Sequence, residues 1–165
     1  MKNSKIKTII IGIATLLFTT GCEDDNSTGP TTHDDATMSG TITFIGDWPA
    51  DGDIAVSLSS NWPPTGMPAA FIAITSSELS SGTYDYTFED VTFGTYASIA
   101  VSWQDPGDSN PATNQHTLGA YGGVYPFFSA HGGTDPTVIT VSETEYELTG
   151  LDFNADFSYT SVQEQ

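Results

Sequence analysis

Thr83-Tyr84-Asp85-Tyr86-Thr87-Phe88 alternates polar and aromatic residues with a period of two. Successive strand side chains point to opposite faces, so the hexapeptide reads as a half-buried strand with its rings turned toward a core. The same signal extends in both directions. Residues 41–45 and 54–58 alternate, and 71–75 is an apolar run of β-formers. Residues 97–103 place Ala97, Ile99, Val101 and Trp103 on one face. The run at 118–124 is weaker, because Gly119, Gly122 and Gly123 interrupt it. Residues 138–141 are short and clear, and 151–157 alternate strictly. Clusters of Gly, Pro, Asn, Asp and Ser separate these runs at 46–53, 60–68, 104–115 and 131–136. Short alternating runs between such turn signals predict an all-β Greek-key β-sandwich of about seven to eight strands. No stretch after residue 37 carries a helical period.

The motif Phe88-Glu89-Asp90-Val91-Thr92-Phe93-Gly94-Thr95-Tyr96 resembles the F-x-x-L-x-x-G-x-Y step of transthyretin-like sandwich domains. These include the carboxypeptidase regulatory-like and collagen-adhesin B-type domains of bacterial surface proteins. Ser39-Gly40-Thr41-Ile42-Thr43-Phe44 is similar to their first strand, and Thr149-Gly150-Leu151-Asp152-Phe153 to their last. The resemblance covers about residues 38–158. It implies a sandwich in which Tyr96 packs at a corner, and an accessory or adhesive role rather than a reaction. Some adhesin-type relatives carry a Lys–Asn isopeptide bond. The only lysines here are Lys2, Lys5 and Lys7, so the body cannot form that crosslink.

The first twenty-two residues read as an address. A basic segment (Met1 to Lys7) precedes an apolar run over 8–18, and Thr19-Thr20-Gly21-Cys22 follows. That is the layout of a secretory signal peptide, and the apolar run is too short to span a bilayer. The only cysteine directly follows Gly21, which resembles a bacterial lipoprotein signal. The resemblance implies lipid modification of Cys22, palmitate included, and a chain held in the outer membrane or at the cell surface. The place three before the cysteine holds Thr19 where the pattern has an aliphatic residue. The alternative is plain cleavage near Gly21 that leaves a free thiol. The expected organisation is a signal at 1–21, an acidic tether at 22–36, a sandwich at 37–160 and a short tail at 161–165. Glu23, Asp24 and Asp25 resemble surface-export signals of bacterial lipoproteins; an ordinary solvated linker has the same composition.

Charge narrows the partners. The chain has 3 basic residues, all lysines and all before residue 8, against 21 acidic ones. Loss of residues 1–21 moves the net charge from −18 to −21. Without Lys or Arg the body cannot neutralise phosphates, which argues against nucleic acid and anionic lipid head groups as partners. The expected contacts are the membrane through the lipidated N-terminus, and a glycan or an envelope protein.

Three sets of residues are candidates for chemistry. His116 and His131 flank a Gly-rich segment and could share a metal with an aspartate, whereas His33 falls in the tether. Asp47, Asp51 and Asp53 crowd one loop and are the calcium candidates; Asp105 and Asp108 crowd another. Asp152, Asn154 and Asp156 share a face of the last run. Solvated acidic surface is the simpler reading for all of these, and no cofactor is required. The third set is aromatic: Trp48, Trp62, Tyr121 and Tyr125, with Phe127 and Phe128 close by. Coplanar exposed rings stack on sugar faces, whereas Pro-flanked tryptophans also plug the ends of sandwich cores. No Gly-x-Ser-x-Gly elbow occurs. The expectation is a non-enzymatic structural, adhesive or accessory domain. The alternatives are a carbohydrate-binding surface lipoprotein and, from another class, a small two-carboxylate hydrolase.

Overall fold

A computed structural model describes residues 32–161. The leader 1–21, Cys22, most of the tether and the last four residues lie outside the described residues. Among the described residues the chain forms ten strands and three short 3-10 turns. The strands are β1 (Asp35–Ile45), β2 (Asp53–Ser59), β3 (Ala70–Ile74), β4 (Thr83–Thr92) and β5 (Gly94–Tyr96). They continue with β6 (Ser98–Gln104), β7 (Gln115–Ala120), β8 (Ile139–Val141), β9 (Glu147–Leu148) and β10 (Phe153–Asp156).

The strands form a β-sandwich. One sheet runs β10-β1-β4, with β9 also pairing with β1. The other runs β3-β2-β6-β7, all antiparallel, and β5 pairs separately with β8. Alternation decides which residues meet between them. Ile42, Phe44, Tyr86 and Phe88 from the first sheet share one buried cluster with Ile54, Val56, Leu58, Ile99 and Val101 from the second. Burying such aliphatic and aromatic side chains stabilises the fold by about 1.5–3 kcal/mol each.

β1 is the seam of the molecule. It pairs antiparallel with β4, and parallel with β9 and then β10. The two parallel partners are interrupted between Leu148 and Phe153, and side chains complete the ladder there. The Thr41 N–H donates to Asp152 Oδ1 at 2.7 Å, and the buried Tyr86 hydroxyl donates to the Leu151 carbonyl at 2.7 Å. Burial pushes the Tyr86 phenol well above its ordinary pKa, with the Asp152 carboxylate adding to the rise. Gly40 faces this break, and a Cβ there would lie 2.3 Å from the Leu151 carbonyl oxygen. Gly119 plays the same part between β7 and β10, where a Cβ would lie 2.0 Å from the Asn154 carbonyl oxygen.

The corner expected at Tyr96 is present. Its ring is 6% exposed and its hydroxyl donates to the Thr92 carbonyl at 2.6 Å. A buried phenol needs such a partner, since leaving it unpaired is costly.

Several expectations need correction. All eight sequence runs contain a strand, but β5 and β9 were not foreseen, so the count exceeds seven to eight. β1 starts at Asp35 rather than after residue 36, and Ala36 is buried. His33, assigned to the tether, stacks on Tyr146 with ring centroids 3.6 Å apart. The run at 118–124 is displaced: β7 begins at Gln115 and stops at Ala120. His116 therefore lies in a strand, buried against Trp103, and not in a loop. A last 3-10 turn, Phe157–Ser161, takes up the first residue of the expected tail.

Candidate binding site

β6 was expected to bury one face, yet Ser98, Ile99, Ala100 and Val101 are all buried. Ile99 and Val101 enter the main core. Ala100 points the other way, where it forms a second buried cluster with Ala120 and Phe127. Trp62, Tyr125 and Tyr159 pack against that cluster and stay partly exposed. The outer face of the β3-β2-β6-β7 sheet thus carries an aromatic cap at one end.

Three separate segments build the cap. Trp62 comes from the connection between β2 and β3. Its indole N–H donates to the Phe127 carbonyl at 2.9 Å, and its ring stacks on Phe128 with centroids 5.4 Å apart. Tyr125, Phe127 and Phe128 come from the long excursion between β7 and β8. Tyr159 comes from the last 3-10 turn and stacks on Tyr125 at 4.0 Å. Burial raises the Tyr159 phenol above its ordinary pKa, with smaller contributions from Asp156 and Tyr125. Both Trp62-Pro63 and Tyr125-Pro126 peptide bonds are cis. Phe127 has φ +65, a left-handed conformation that a bulky residue rarely adopts.

The excursion is tied to itself. Val124 and Thr134 form an isolated bridge. The Ser129 N–H and hydroxyl both donate to the Asp135 carboxylate, at 3.0 and 2.7 Å. These bonds hold the Asp135 carboxyl below the usual carboxylate range. The excursion also carries its own 3-10 turn, Ser129–His131.

The aromatic candidates separate into two groups. Trp62 and Tyr125 share the outer cap. Trp48 lies elsewhere, packed at 5.5 Å from Phe44 and 5.2 Å from Phe157 beside the main core. Tyr121 also packs on the main core. The structure therefore does not bring the four rings to one platform. Phe71, which no loop signal marked, is 66% exposed on β3.

The acidic candidates act locally. Among the described residues, no three His, Cys, Asp or Glu side chains form a group able to hold a metal ion, and Asp47, Asp51 and Asp53 form no such group. The Asp51 carbonyl instead accepts the Trp103 indole N–H at 2.9 Å. Asp105 accepts the Gly107 N–H, while Asp108 accepts the Asn110 N–H and the Thr113 hydroxyl. These are turn-closing bonds of the kind Asp makes two residues on. They hold the Asp108 carboxyl low, with His116 adding a smaller effect. Asp152 completes the β1 ladder and Asp156 accepts the Ser158 N–H. His131 lies beside Phe128, on a different element from His116.

The described residues include shallow depressions. A shallow, open one of about 520 Å³ is lined by Thr41, Thr43, Asp152, Phe153 and Asn154 on the first sheet. A narrower one of about 90 Å³ lies beside Tyr96 between Leu58, Ala70 and Glu89. No protein-family model, no curated protein and no solved structure matches the chain.

Proposed function

We propose that this chain is an exported, lipid-anchored β-sandwich that serves an adhesive or accessory role at the bacterial outer membrane or cell surface. One observation carries the reading: Cys22 directly follows a basic and apolar leader, and a polar, acidic stretch leads from it to the first strand. A lipidated cysteine supplies the two acyl signals that stable attachment needs. The short polar stretch then separates an ordered body from the bilayer.

The transthyretin-like reading belongs to the same proposal. It is supported by Tyr96, buried at a corner with its hydroxyl on the Thr92 carbonyl, as the motif implies. The absence of basic residues after Lys7 favours partners that carry no phosphate or sulfate.

The test is fractionation of cells that express Cys22→Ser beside the parent chain. The parent should remain with membranes through a high-salt wash and carry an acylated N-terminus by mass spectrometry. The variant should become soluble. Tight membrane association of the variant would overturn the anchoring.

A further inference from the structure

We infer that the outer face of the β3-β2-β6-β7 sheet is a binding track for a neutral polysaccharide. The inference rests on the reading of the chain as a surface-presented adhesive module.

The register fixes what the face is made of. Ser57 pairs with Phe71 on one side and Ala100 on the other, and Ala100 pairs with Ala120. The next row joins Ala73, Ala55, Ser102 and Thr117. Apart from Phe71, both rows carry only small side chains. The aromatic cap covers the row that ends in Ala100 and Ala120. Ala55, Ser57, Ser102 and Thr117 remain half-exposed. The result is a low floor with a ring at each side: Phe71 at the β3 edge, and the cap of Trp62, Tyr125 and Tyr159 above Ala100. Two strand spacings separate Phe71 from Ala100, which is about 10 Å.

This is the chemistry that recognises uncharged sugars. The flat C–H faces of a sugar stack on aromatic rings, and its hydroxyls need small polar partners. Ser57, Ser102 and Thr117 supply hydroxyls on the floor. The cap is pre-organised by the Trp62–Phe127 hydrogen bond and by ring stacking, so binding orders little. The same outer face carries Ser98, 1% exposed, whose hydroxyl has no partner among the described residues.

Charge selects among glycans. No Lys or Arg follows Lys7, and the 21 acidic residues of the chain leave the body with a strong negative charge. A uronate, sulfated or phosphorylated polymer would meet repulsion with no cation to pair. A neutral polymer meets none.

The experiment uses the anchored chain in detergent, with retention measured on insoluble or immobilised amylose, cellulose, xylan and mannan. Alginate serves as the polyanion and chitosan as the polycation. Retention on at least one neutral polymer, insensitive to salt, is expected, with none on alginate. Phe71→Ala and Ser57→Gln should each weaken that retention at least tenfold. Both sites are exposed or half-exposed, and an unchanged melting curve would show that the fold survives. No retention on any neutral polymer would overturn the inference, as would retention unchanged in both variants. Salt-sensitive retention on chitosan alone would also overturn it, since that reports bulk charge. A negative result here with Cys22-dependent anchoring intact removes the track and leaves the surface role standing. Loss of anchoring with glycan retention intact does the reverse.

Discussion

Trp48 and Trp62 flank the same strand, each followed by proline, and they serve two different clusters. Trp48 lies beside the main core, against Phe44 and Phe157. Trp62 lies over the outer face of the second sheet, bonded to Phe127 and stacked on Phe128. The local sequence around the two is nearly alike. What differs is the surface beneath them: Phe44 of β1 and Phe157 of the main core lie under one, and the outward Ala100 of β6 anchors the cluster under the other. A sandwich sheet normally wets its second face, so an aromatic cap there is an addition to the core and not part of it.

The comparison can be broken most forcefully at the main core. Tyr96→Ala removes a buried ring and its bond to Thr92, at a cost of about 3–5 kcal/mol. That is a large share of the 5–15 kcal/mol a domain usually has. The melting temperature should fall by roughly 10 °C or more. An unchanged melting curve would remove the corner, and with it the resemblance on which Tyr96 was singled out.

Phe127→Ala tests the other side. Phe127 is buried, but in the small outer cluster and at an unfavourable φ. Its loss should cost about 3 kcal/mol, at the low end for a buried ring and less than one deleted from the main core. Trp62 emission should shift to the red, which a Trp48→Phe/Trp103→Phe background would isolate. A cost equal to that of Tyr96→Ala would mean that the two clusters unfold as one.

Tyr86→Phe sharpens the seam at β1. It keeps the ring and deletes only the donor to the Leu151 carbonyl, and so should cost about 1–2 kcal/mol. Amide exchange should quicken around Thr41 and Leu151 and not in the cap. Equal quickening in the cap would count against separate clusters.

The smallest effect concerns acid. The bonds from Ser129 hold the Asp135 carboxyl below its ordinary pKa. The contribution is therefore fully present above the ordinary carboxylate range, about pH 4, and fades as pH falls through the depressed value. Amide exchange in 129–135 should rise in acid before the core loosens, and Asp135→Asn should abolish that step. An acid response that persists in Asp135→Asn would place the titrating group elsewhere.

The sandwich was legible because its evidence is local. Residues 83–88, 41–45 and 54–58 show their faces by alternation alone, and each lies in a strand with those faces. The turn roles of Asp105 and Asp108 were equally readable, since Asp-Pro-Gly-Asp-Ser-Asn-Pro is turn chemistry before it is ligand chemistry. The outer cap was not legible. Residues 121–137 carry no period, and Ala100 reads as an outward, wettable position until Phe127 covers it. Nor does any local pattern bring Tyr159 onto Tyr125, some thirty residues away. Trp62 and Tyr125 stand out in the sequence only by their type; in the fold they share the cluster of Ala100, Ala120 and Phe127, while Trp48 and Tyr121 pack on the main core.

β1 lies between β4 on one side and β9 with β10 on the other. A mechanical load that enters the body at Asp35 therefore runs along the strand axis, with neighbours bonded on both flanks. The ladder meets such a pull in shear, so many bonds must yield together instead of opening one by one from an edge. Forced unfolding is governed by the rate of that concerted step. For a body held by its N-terminal side in a moving fluid, the first strand is also the one best placed to take the strain.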